Sequence, residues 1–158
     1  TIVQGVKTQP GYYNVTYVSD GDTFTVNMDG REEKVRLIGV DTPETVKPNS
    51  PTECYGKAAS DFTKQTLKGQ IVRLEADPIN QNRDRYDRLL RYAYLQDGSL
   101  FNATLISQGY AFAYLSFPFS KSDEFRLLQV AARENKVGVW AGECSIEDQN
   151  GRYKTNTL

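Results

Sequence analysis

Runs of alternating and β-branched residues predict five β-strands in this chain. In the second run, apolar side chains at Phe24, Val26 and Met28 alternate with polar ones, which is the period of a strand with one buried face. An Asp-Gly pair follows the second run and another follows the fifth, and this dipeptide is typical of tight turns. The five runs cover residues 12–18, 22–28, 34–40, 71–75 and 89–95.

Three further segments predict helices, each followed by a glycine that favours a helix end. The helices are expected at residues 56–68, 101–108 and 122–137. In the last of them Phe125, Leu128 and Ala132 form one apolar stripe. Three strands, a helix, two strands and two helices make an α+β domain. Five antiparallel strands with an intervening helix suit a small Greek-key barrel of the OB type.

Two charged residues stand out because the pattern places both of them in apolar surroundings. Asp22 shares its strand face with Phe24 and Val26, and Arg36 lies in a run whose two faces are both mostly aliphatic. A charge in such a place is costly unless a partner compensates it. A hairpin between the two strands would bring an acid and a base together.

Four of the carboxylates between residues 20 and 44 lie near the two ends of this stretch, and one arginine lies inside its third predicted strand; they are Asp20, Asp22, Asp41, Glu44 and Arg36. Carboxylate oxygens bind hard cations, and the rigid donor fork of a guanidinium fits phosphate oxygens. The set therefore suits a cation held next to a phosphate. A buried salt-bridge cluster that only stabilises the fold would use the same residues, since ion-pair networks also gather charges.

Composition limits the chemistry that these residues can perform. The chain has 158 residues, a net charge of −1 and no histidine. Its 25% charged and 39% hydrophobic residues are typical of one globular domain. The lack of histidine excludes serine-hydrolase triads, histidine-ligated zinc and imidazole bases. Binding of nucleic acid would need a local basic patch or a metal ion, and no apolar run reaches the length of a membrane helix.

Several motifs closely resemble the staphylococcal nuclease (thermonuclease) family. The most specific pair is Asp20-Gly21-Asp22-Thr23 followed by Val40-Asp41-Thr42-Pro43-Glu44, with Arg36 five residues before the second aspartate. The resemblance covers roughly residues 12–141 and continues through Tyr55-Gly56-Lys57-Ala58-Ala59, Asp84-Arg85-Tyr86-Asp87-Arg88 and Gly138-Val139-Trp140. It implies an OB-type barrel and a Ca²⁺-dependent nuclease that acts on DNA and RNA and leaves 3′-phosphate ends.

The resemblance also implies the metal ligands. Asp22, Asp41 and the backbone carbonyl of Thr42 would bind Ca²⁺, which favours such oxygen ligands together with waters. Asp20 would support Asp22 or the metal-binding loop through hydrogen bonds.

Three residues are implied to act on the phosphate. Arg36 and Arg88 would clamp it and stabilise the transition state, and Glu44 would position the attacking water. The sequence departs from the family pattern at Asp87, where the family commonly has glycine. Asp87 places a further carboxylate beside Arg88, and this puts the role of Arg88 in doubt.

Nucleic-acid contacts are implied for Arg85, Tyr86 and Tyr114. Arg85 stands where the family often has lysine, and it keeps the positive charge. From the residues alone, the arginine-rich loop would be a solvated basic turn and the tyrosines would belong to the core. Base stacking on tyrosine is sequence-tolerant, which fits an enzyme that reads the backbone more than the bases.

The two cysteines, Cys54 and Cys144, are either disulfide-bonded or two buried thiols. In the fold that the resemblance implies, their regions lie on the same side of the domain, away from the active site. A disulfide is therefore expected, and it would indicate an oxidising compartment. Because the chain opens at Thr1 without a signal-peptide segment, we expect the mature form of a secreted or periplasmic protein.

The nuclease-like domain is expected at residues 12–144, between a loosely attached arm at 1–11 and a polar, frayed tail at 145–158. Residues 45–53 read as a proline-containing loop. The expected partners are DNA and RNA as substrates, without a membrane, and the chain is expected to be a monomer. Two other functions compete: a non-catalytic nucleic-acid-binding module on the same barrel, and a structural calcium-binding domain. The intact set of charged residues favours the enzyme.

Overall fold

A computed structural model describes residues 11–45 and 51–158. The predicted arm up to residue 10 and residues 46–50 of the predicted proline-containing loop lie outside the described residues. In chain order the strands are β1 (Gly11–Asp20), β2 (Thr23–Met28), β3 (Arg31–Leu37), β4 (Val40–Asp41), β5 (Ile71–Glu75), β6 (Leu89–Tyr94), β7 (Phe112–Ala113), β8 (Ile146–Gln149) and β9 (Arg152–Thr155). The helices are α1 (Gly56–Leu67), α2 (Phe101–Ser107) and α3 (Ser122–Glu134), and a 3₁₀ turn covers Gly138–Ala141.

Five strands close into a barrel in the order β1, β2, β3, β6, β5. This confirms the predicted five-stranded barrel with three α-helices. The alternation in β2 puts Phe24 and Val26 into the barrel core, where both are fully buried. Asp29 and Gly30 form the β2–β3 turn with φ of 56° and 90°, the left-handed conformations of a two-residue hairpin.

One strand pair departs from the antiparallel expectation. β3 runs parallel to β6, with Val35 opposite Leu89 and Arg36 opposite Leu90. The chain between the two strands includes α1 and β5, a connection long enough to return in the same direction. This pairing closes the barrel and puts the segment before β6 beside the strand that carries Arg36.

The predicted third strand is broken, because β3 ends at Leu37 and the chain turns at Gly39. Gly39 has a φ of +76°, and a Cβ atom there would lie 2.6 Å from the ring of Phe119. Only glycine fits this turn, since it tolerates positive φ and leaves room for the ring. The next residues form β4, in which Asp41 pairs with Phe112 of β7.

Two side chains fix this region from the helices. Asn102 of α2 donates from Nδ2 to the carbonyl of Ile38 at 2.9 Å and accepts the N–H of Ala93 at 2.9 Å. Thr63 of α1 donates to the carbonyl of Gly21 at 2.7 Å. The turns around Asp22 and Asp41 are thus held by buried hydrogen bonds as well as by the barrel.

The expectation of a frayed tail at residues 145–158 is wrong, because this segment forms a β-hairpin. β8 and β9 pair antiparallel from Ile146–Thr155 to Gln149–Arg152. The turn residues Asn150 and Gly151 have φ of 55° and 89°, as an Asn-Gly hairpin requires.

The hairpin packs against the body of the domain at two places. The Tyr153 ring lies 5.6 Å from Phe112 and 5.7 Å from Trp140, measured between ring centroids. The buried Thr155 donates from Oγ1 to the carbonyl of Cys54 at 2.8 Å. In the structure the sulfurs of Cys54 and Cys144 are joined across the hairpin base, with a Cα–Cα distance of 5.8 Å.

None of the helices in the described part of the chain is long and apolar enough to cross a membrane.

Candidate active site

Asp22 lies just before β2, at the end of the barrel, and only 3% of its surface is exposed. Its Oδ1 accepts the hydroxyl of Thr23 at 2.9 Å. Its Oδ2 accepts the backbone N–H of Thr42 at 3.1 Å. These contacts fix the carboxylate against the loop that follows β4, so the two ends of the acidic stretch meet.

Arg36 supplies the positive partner that the apolar pattern required. Its Nη1 donates to the carbonyls of Leu37 and Val40, at 2.8 and 2.7 Å. Its Nη2 lies 3.4 Å from Oδ2 of Asp22 and 3.8 Å from Oδ1 of Asp41. One nitrogen is thus anchored to the Gly39 turn while the other faces both acids.

Asp41 is buried and lies between two guanidinium groups. Its Oδ1 faces Arg36, and its Oδ2 accepts Nε–H of Arg152 at 3.0 Å. Burial raises the pKa of Asp41 and the charge of Asp22 raises it further, while the two arginines oppose both effects. Burial, followed by the charge of Asp22, thus disfavours the ionised form of Asp41 despite its two arginine partners.

Asp20 lies behind the pair, at the end of β1. Its Oδ1 accepts the N–H of Gly21 at 2.9 Å and the hydroxyl of Thr45 at 2.8 Å. Burial raises its pKa, as does the charge of Asp22. Asp20 therefore ties the turn that carries Asp22 to the loop that carries Glu44, a geometry that suits the expected supporting role.

Glu44 lines a cavity of about 110 Å³ beside Asp41. Its backbone is fixed by Glu53, whose Oε1 accepts the N–H of Glu44 at 3.0 Å and whose own N–H donates to the carbonyl of Glu44 at 3.0 Å. The lining residues come from β4 and the segment after it, from β7 and from the C-terminal hairpin, and they are Asp41, Thr42, Pro43, Glu44, Glu53, Phe112, Gln149, Arg152, Tyr153 and Lys154.

Two observations fit a cation at this site. Asp22 and Asp41 share the single Nη2 of Arg36, and among the described residues the second guanidinium, that of Arg152, pairs with Asp41 and not with Asp22. The hydroxyl of Thr42 is buried and has no hydrogen-bond partner among the described residues. Those residues contain no cluster of three or more acidic, histidine or cysteine side chains that could hold a metal. Backbone and water oxygens would have to complete the shell, which Ca²⁺ accepts.

Arg88 is held by a carboxylate of its own loop. Its Nε lies 2.7 Å from Oδ2 of Asp84, and its guanidinium lies 5.3 Å from the Tyr86 ring centroid. Arg85 donates to the hydroxyl of Tyr86 at 2.8 Å and lies over the same ring. No ion pair in the described residues joins Arg88 to Asp22 or Asp41.

Arg88 directly precedes β6, the strand that pairs with the strand of Arg36. In the parallel β3–β6 pair Val35 lies opposite Leu89 and Arg36 opposite Leu90. The arginine-rich loop therefore enters the barrel beside the strand that carries Arg36.

The carboxylate of Asp87 pairs with Arg83 rather than with Arg88. The φ of 66° at Asp87 lies in the left-handed region, which favours glycine. Its exposed carboxylate lies 3.6 Å from Nη1 of Arg83, and its carbonyl accepts the same nitrogen at 2.9 Å. The acid that binds Arg88 is Asp84.

Tyr114 lies next to the site rather than in the core. Its N–H donates to the carbonyl of Gly39 at 2.8 Å, and its half-buried ring lies 5.3 Å from the guanidinium of Arg152. Tyr86, by contrast, is largely exposed on its loop.

Comparison with known proteins identifies the family. A sequence model of the staphylococcal nuclease homologues matches residues 34–142. The thermonucleases of Staphylococcus intermedius and Staphylococcus hyicus are both 47% identical to this chain, over 81% and 82% of its length and 75% of their own. Endonuclease YncB of Bacillus subtilis is 40% identical over 85% of this chain and 65% of its own length. The chain belongs to the staphylococcal nuclease family.

Membership of the staphylococcal nuclease family indicates that the protein is a nuclease. It implies nucleic-acid substrates and a metal-ion cofactor in general. The resemblance stated from the motifs is thereby confirmed.

The site residues that sequence reasoning missed come from the C-terminal hairpin, beyond the segment that the staphylococcal nuclease model matches. They include Arg152, which contacts Asp41, and Lys154, whose Nζ lies 3.6 Å from Glu53. The Asn150-Gly151 pair was the signal that could have revealed the hairpin. Its docking on Asp41 carried no local signal, because the contacting residues are 111 positions apart.

Proposed function

We propose that this protein is a calcium-dependent nuclease that hydrolyses phosphodiester bonds of DNA and RNA and leaves 3′-phosphate ends. One observation carries the proposal: Asp22 and Asp41 converge on Nη2 of Arg36, at 3.4 and 3.8 Å, beside a cavity that Glu44 lines. This arrangement combines partly compensated carboxylates, a guanidinium and an open space of the size of a phosphate group.

The two aspartates and the carbonyl of Thr42 would hold the calcium ion. When bound, Ca²⁺ would polarise the scissile phosphate and compensate the negative charge that develops on it. The support is that Asp22 shares Nη2 of Arg36 with Asp41, and that burial and the charge of Asp22 raise the pKa of Asp41 despite its contacts with Arg36 and Arg152.

Arg36 binds and orients the phosphate. Its Nη1 is anchored to the carbonyls of Leu37 and Val40, so the fork keeps one direction while Nη2 faces the acids. A donor that is fixed before the reaction stabilises developing charge without reorganisation, and the guanidinium stays charged at all working pH values.

Glu44 positions the attacking water and accepts its proton. The oxygen of this water forms a bond to phosphorus, and the bond from phosphorus to the 5′ oxygen breaks. The departing 5′ oxygen takes up a proton from solvent, which leaves a 3′-phosphate and a 5′-hydroxyl. The support is that Glu44 lines the cavity next to Asp41 and that Glu53 holds its backbone through two hydrogen bonds.

Arg88 joins Arg36 on the phosphate, while Arg85, Tyr86 and Tyr114 contact the nucleotides. The support for Arg88 is its place directly before β6, the strand that pairs with the strand of Arg36. The support for Arg85 and Tyr86 is their exposure on one loop.

We further propose that the protein is a monomer that works in an oxidising, secreted or periplasmic environment with a disulfide between Cys54 and Cys144. The short Cα–Cα distance of 5.8 Å supports this bond. Mass spectrometry after alkylation without reductant should find no labelled cysteine, and two after reduction. Two labelled cysteines before reduction would contradict the disulfide and its compartment.

The decisive experiment is digestion of plasmid DNA and of RNA with Ca²⁺ and then with excess chelator. We expect cleavage of both substrates that stops on chelation and is lost in Arg36→Ala but kept in the control Arg31→Ala, on the exposed part of the same strand. Binding without cleavage would favour a non-catalytic module, and Ca²⁺ binding without nucleic-acid binding would favour a structural domain. Cleavage in excess chelator would exclude the metal mechanism.

A further inference from the structure

Arg152 reaches the candidate active site from β9, far from the motifs that define the family. Its Nε donates to Oδ2 of Asp41 at 3.0 Å, and its guanidinium lies over the Tyr114 ring. The side chain is 55% exposed. In the described residues no further ion pair or hydrogen bond involves its two Nη atoms. Most of the donor fork of Arg152 therefore faces the solvent beside the acids.

The cavity beside Asp41 has one wall from the loop after β4 and one wall from the C-terminal hairpin. Asp41, Thr42 and Glu44 line the first wall, and Arg152 and Lys154 line the second. Its volume of about 110 Å³ corresponds to between three and four waters at about 30 Å³ each, which is enough for a phosphate group. A ligand in the cavity would contact Arg152 and the acidic loop together.

The hairpin does not depend on Arg152 for its position. Tyr153 packs between Phe112 and Trp140, and Thr155 is buried and bonded to the carbonyl of Cys54. Arg152 can therefore leave Asp41 while its backbone stays in place.

We propose that Arg152 is a substrate-binding residue, which exchanges its contact with Asp41 for a phosphate of the nucleic acid when substrate enters the cavity. The inference rests on the proposed nuclease function. A phosphate offers the planar fork two oxygens, whereas Asp41 now takes only the Nε–H.

The exchange has a second consequence, because Arg152 and a cation compete for the same carboxylate oxygen. Removing Arg152 frees Oδ2 of Asp41, so a divalent ion should bind more tightly. Removing it also takes away a phosphate contact, so nucleic acid should bind less tightly. If Arg152 had only a structural role, its removal would weaken the binding of both the divalent ion and the nucleic acid. Tighter ion binding together with weaker nucleic-acid binding therefore distinguishes the proposed role from a structural one.

The test compares Arg152→Gln and Arg152→Lys with the control Arg133→Gln. Arg133 contacts the same hairpin through the Tyr153 hydroxyl, at 3.5 Å, but does not line the cavity. Steady-state cleavage of a fluorescein-labelled single-stranded DNA with Ca²⁺ is measured at several salt concentrations. Ca²⁺ affinity of the free proteins is measured by titration calorimetry, and folding by thermal melting.

We expect Arg152→Gln to raise KM about tenfold with kcat changed less than about threefold, as for one charge-assisted hydrogen-bonded contact. The slope of log KM against log salt should fall by about 0.7, the value for one phosphate contact on a single strand. Ca²⁺ affinity should rise severalfold. Arg152→Lys should raise KM less and keep the wild-type slope, because it keeps the charge and loses the fork. Arg133→Gln should match the wild type.

An unchanged KM and salt slope in a folded Arg152→Gln variant would overturn the inference, as would a loss of both affinities. If Arg152→Gln does not fold, the KM of Arg152→Lys tests the inference instead. An unchanged KM in Arg152→Lys would then overturn the inference. A wild-type protein without nuclease activity would remove the proposed function and this inference together. An active wild type with an unaffected Arg152→Gln variant would remove this inference alone.

Discussion

Nη2 of Arg36 lies 3.4 Å from Oδ2 of Asp22, while Nη1 of the same side chain donates to Leu37 and Val40. The guanidinium thus performs two tasks with two different nitrogens. Lysine has a single nitrogen, so Arg36→Lys should keep the charge but lose either the anchor or the contact with the acids. We expect kcat to fall about a hundredfold, the usual cost of one fixed transition-state donor.

The control for Arg36→Lys is Arg31→Lys, an exposed position on the same strand whose partner is Glu33 at 3.4 Å. Its kcat should stay within about twofold of wild type, since surface ion pairs contribute little. If initial-rate assays gave the same kcat for Arg36→Lys and the wild type, Arg36 would not be a catalytic residue.

Asp87→Gly should leave catalysis almost unchanged, because its carboxylate lies near Arg83, 3.6 Å away, rather than near Arg88. The φ of 66° at this position also suits glycine better than aspartate. We expect kcat/KM within about twofold of wild type. In contrast, Arg88→Lys should lower it about a hundredfold, since it removes the fork from the phosphate.

Kinetics of both variants on one DNA substrate test this interpretation of the loop. A large gain in activity in Asp87→Gly would mean that its carboxylate does oppose Arg88. Near-wild-type turnover in Arg88→Lys would remove Arg88 from the catalytic residues.

Asp77 should make the stability of the fold depend on acid pH. Burial raises its pKa, but hydrogen bonds from Ser120, the hydroxyl of Tyr92 and the N–H of Ile79 outweigh this, and the folded-state pKa is lowered. A lowered pKa stabilises the folded state fully above the ordinary value of 3.8, and this contribution is lost as pH falls from there through the lower folded-state pKa. Asp77→Asn should cost about 1–3 kcal/mol at neutral pH.

Thermal melting between pH 7 and pH 2 checks this expectation. The difference between wild type and Asp77→Asn should be constant above about pH 4.5 and shrink below the ordinary carboxyl pKa. The control Asp123→Asn changes an exposed carboxylate in α3 that pairs only with Arg126 among the described residues, and it should melt like the wild type. A difference that grows with acid would contradict the lowered pKa of Asp77.

Sequence reasoning predicts those parts of the site whose signals are local. Side-chain parity places Asp22 and Arg36 in apolar surroundings, and the Asp29-Gly30 turn brings their strands together, so their pairing follows from the chain alone. The same reasoning fails at Gly39. There the turn needs glycine because the ring of Phe119, from a distant segment of the chain, leaves no room for a Cβ atom.

The C-terminal hairpin shows the other limit of the sequence. Its turn, like that of the first hairpin, is a pair of residues with positive φ that ends in glycine. The Asn150-Gly151 pair therefore predicts a hairpin turn from the sequence. Its position over Asp41 could not, because it depends on the packing of Tyr153 against Phe112 and Trp140. A polar composition indicates solvent exposure of the strands but not where they dock.

Asp22 and Asp41 should be needed for binding the metal ion, whereas Glu44 should be needed only for the chemical step. Calcium titration calorimetry with Asp22→Ala and Asp41→Ala should show strongly weakened binding, because each change removes half of the carboxylate pair that faces Arg36. Glu44→Gln should bind Ca²⁺ almost as the wild type does but lose turnover severely, because its task is the water.

Asp61→Ala is the matched control, since this partly exposed carboxylate pairs with Lys57 at 2.8 Å on α1 and does not line the cavity. It should change neither Ca²⁺ affinity nor rate. Without Ca²⁺, the variants at Asp22 and Asp41 lose a repulsion between two buried acids, which should raise the melting temperature. They also leave Arg36 with one partner fewer, which should lower it. Thermal melting of the metal-free variants shows which effect is larger. Unchanged Ca²⁺ affinity in both aspartate variants would overturn the metal site, whereas normal turnover in Glu44→Gln would overturn only the role of Glu44.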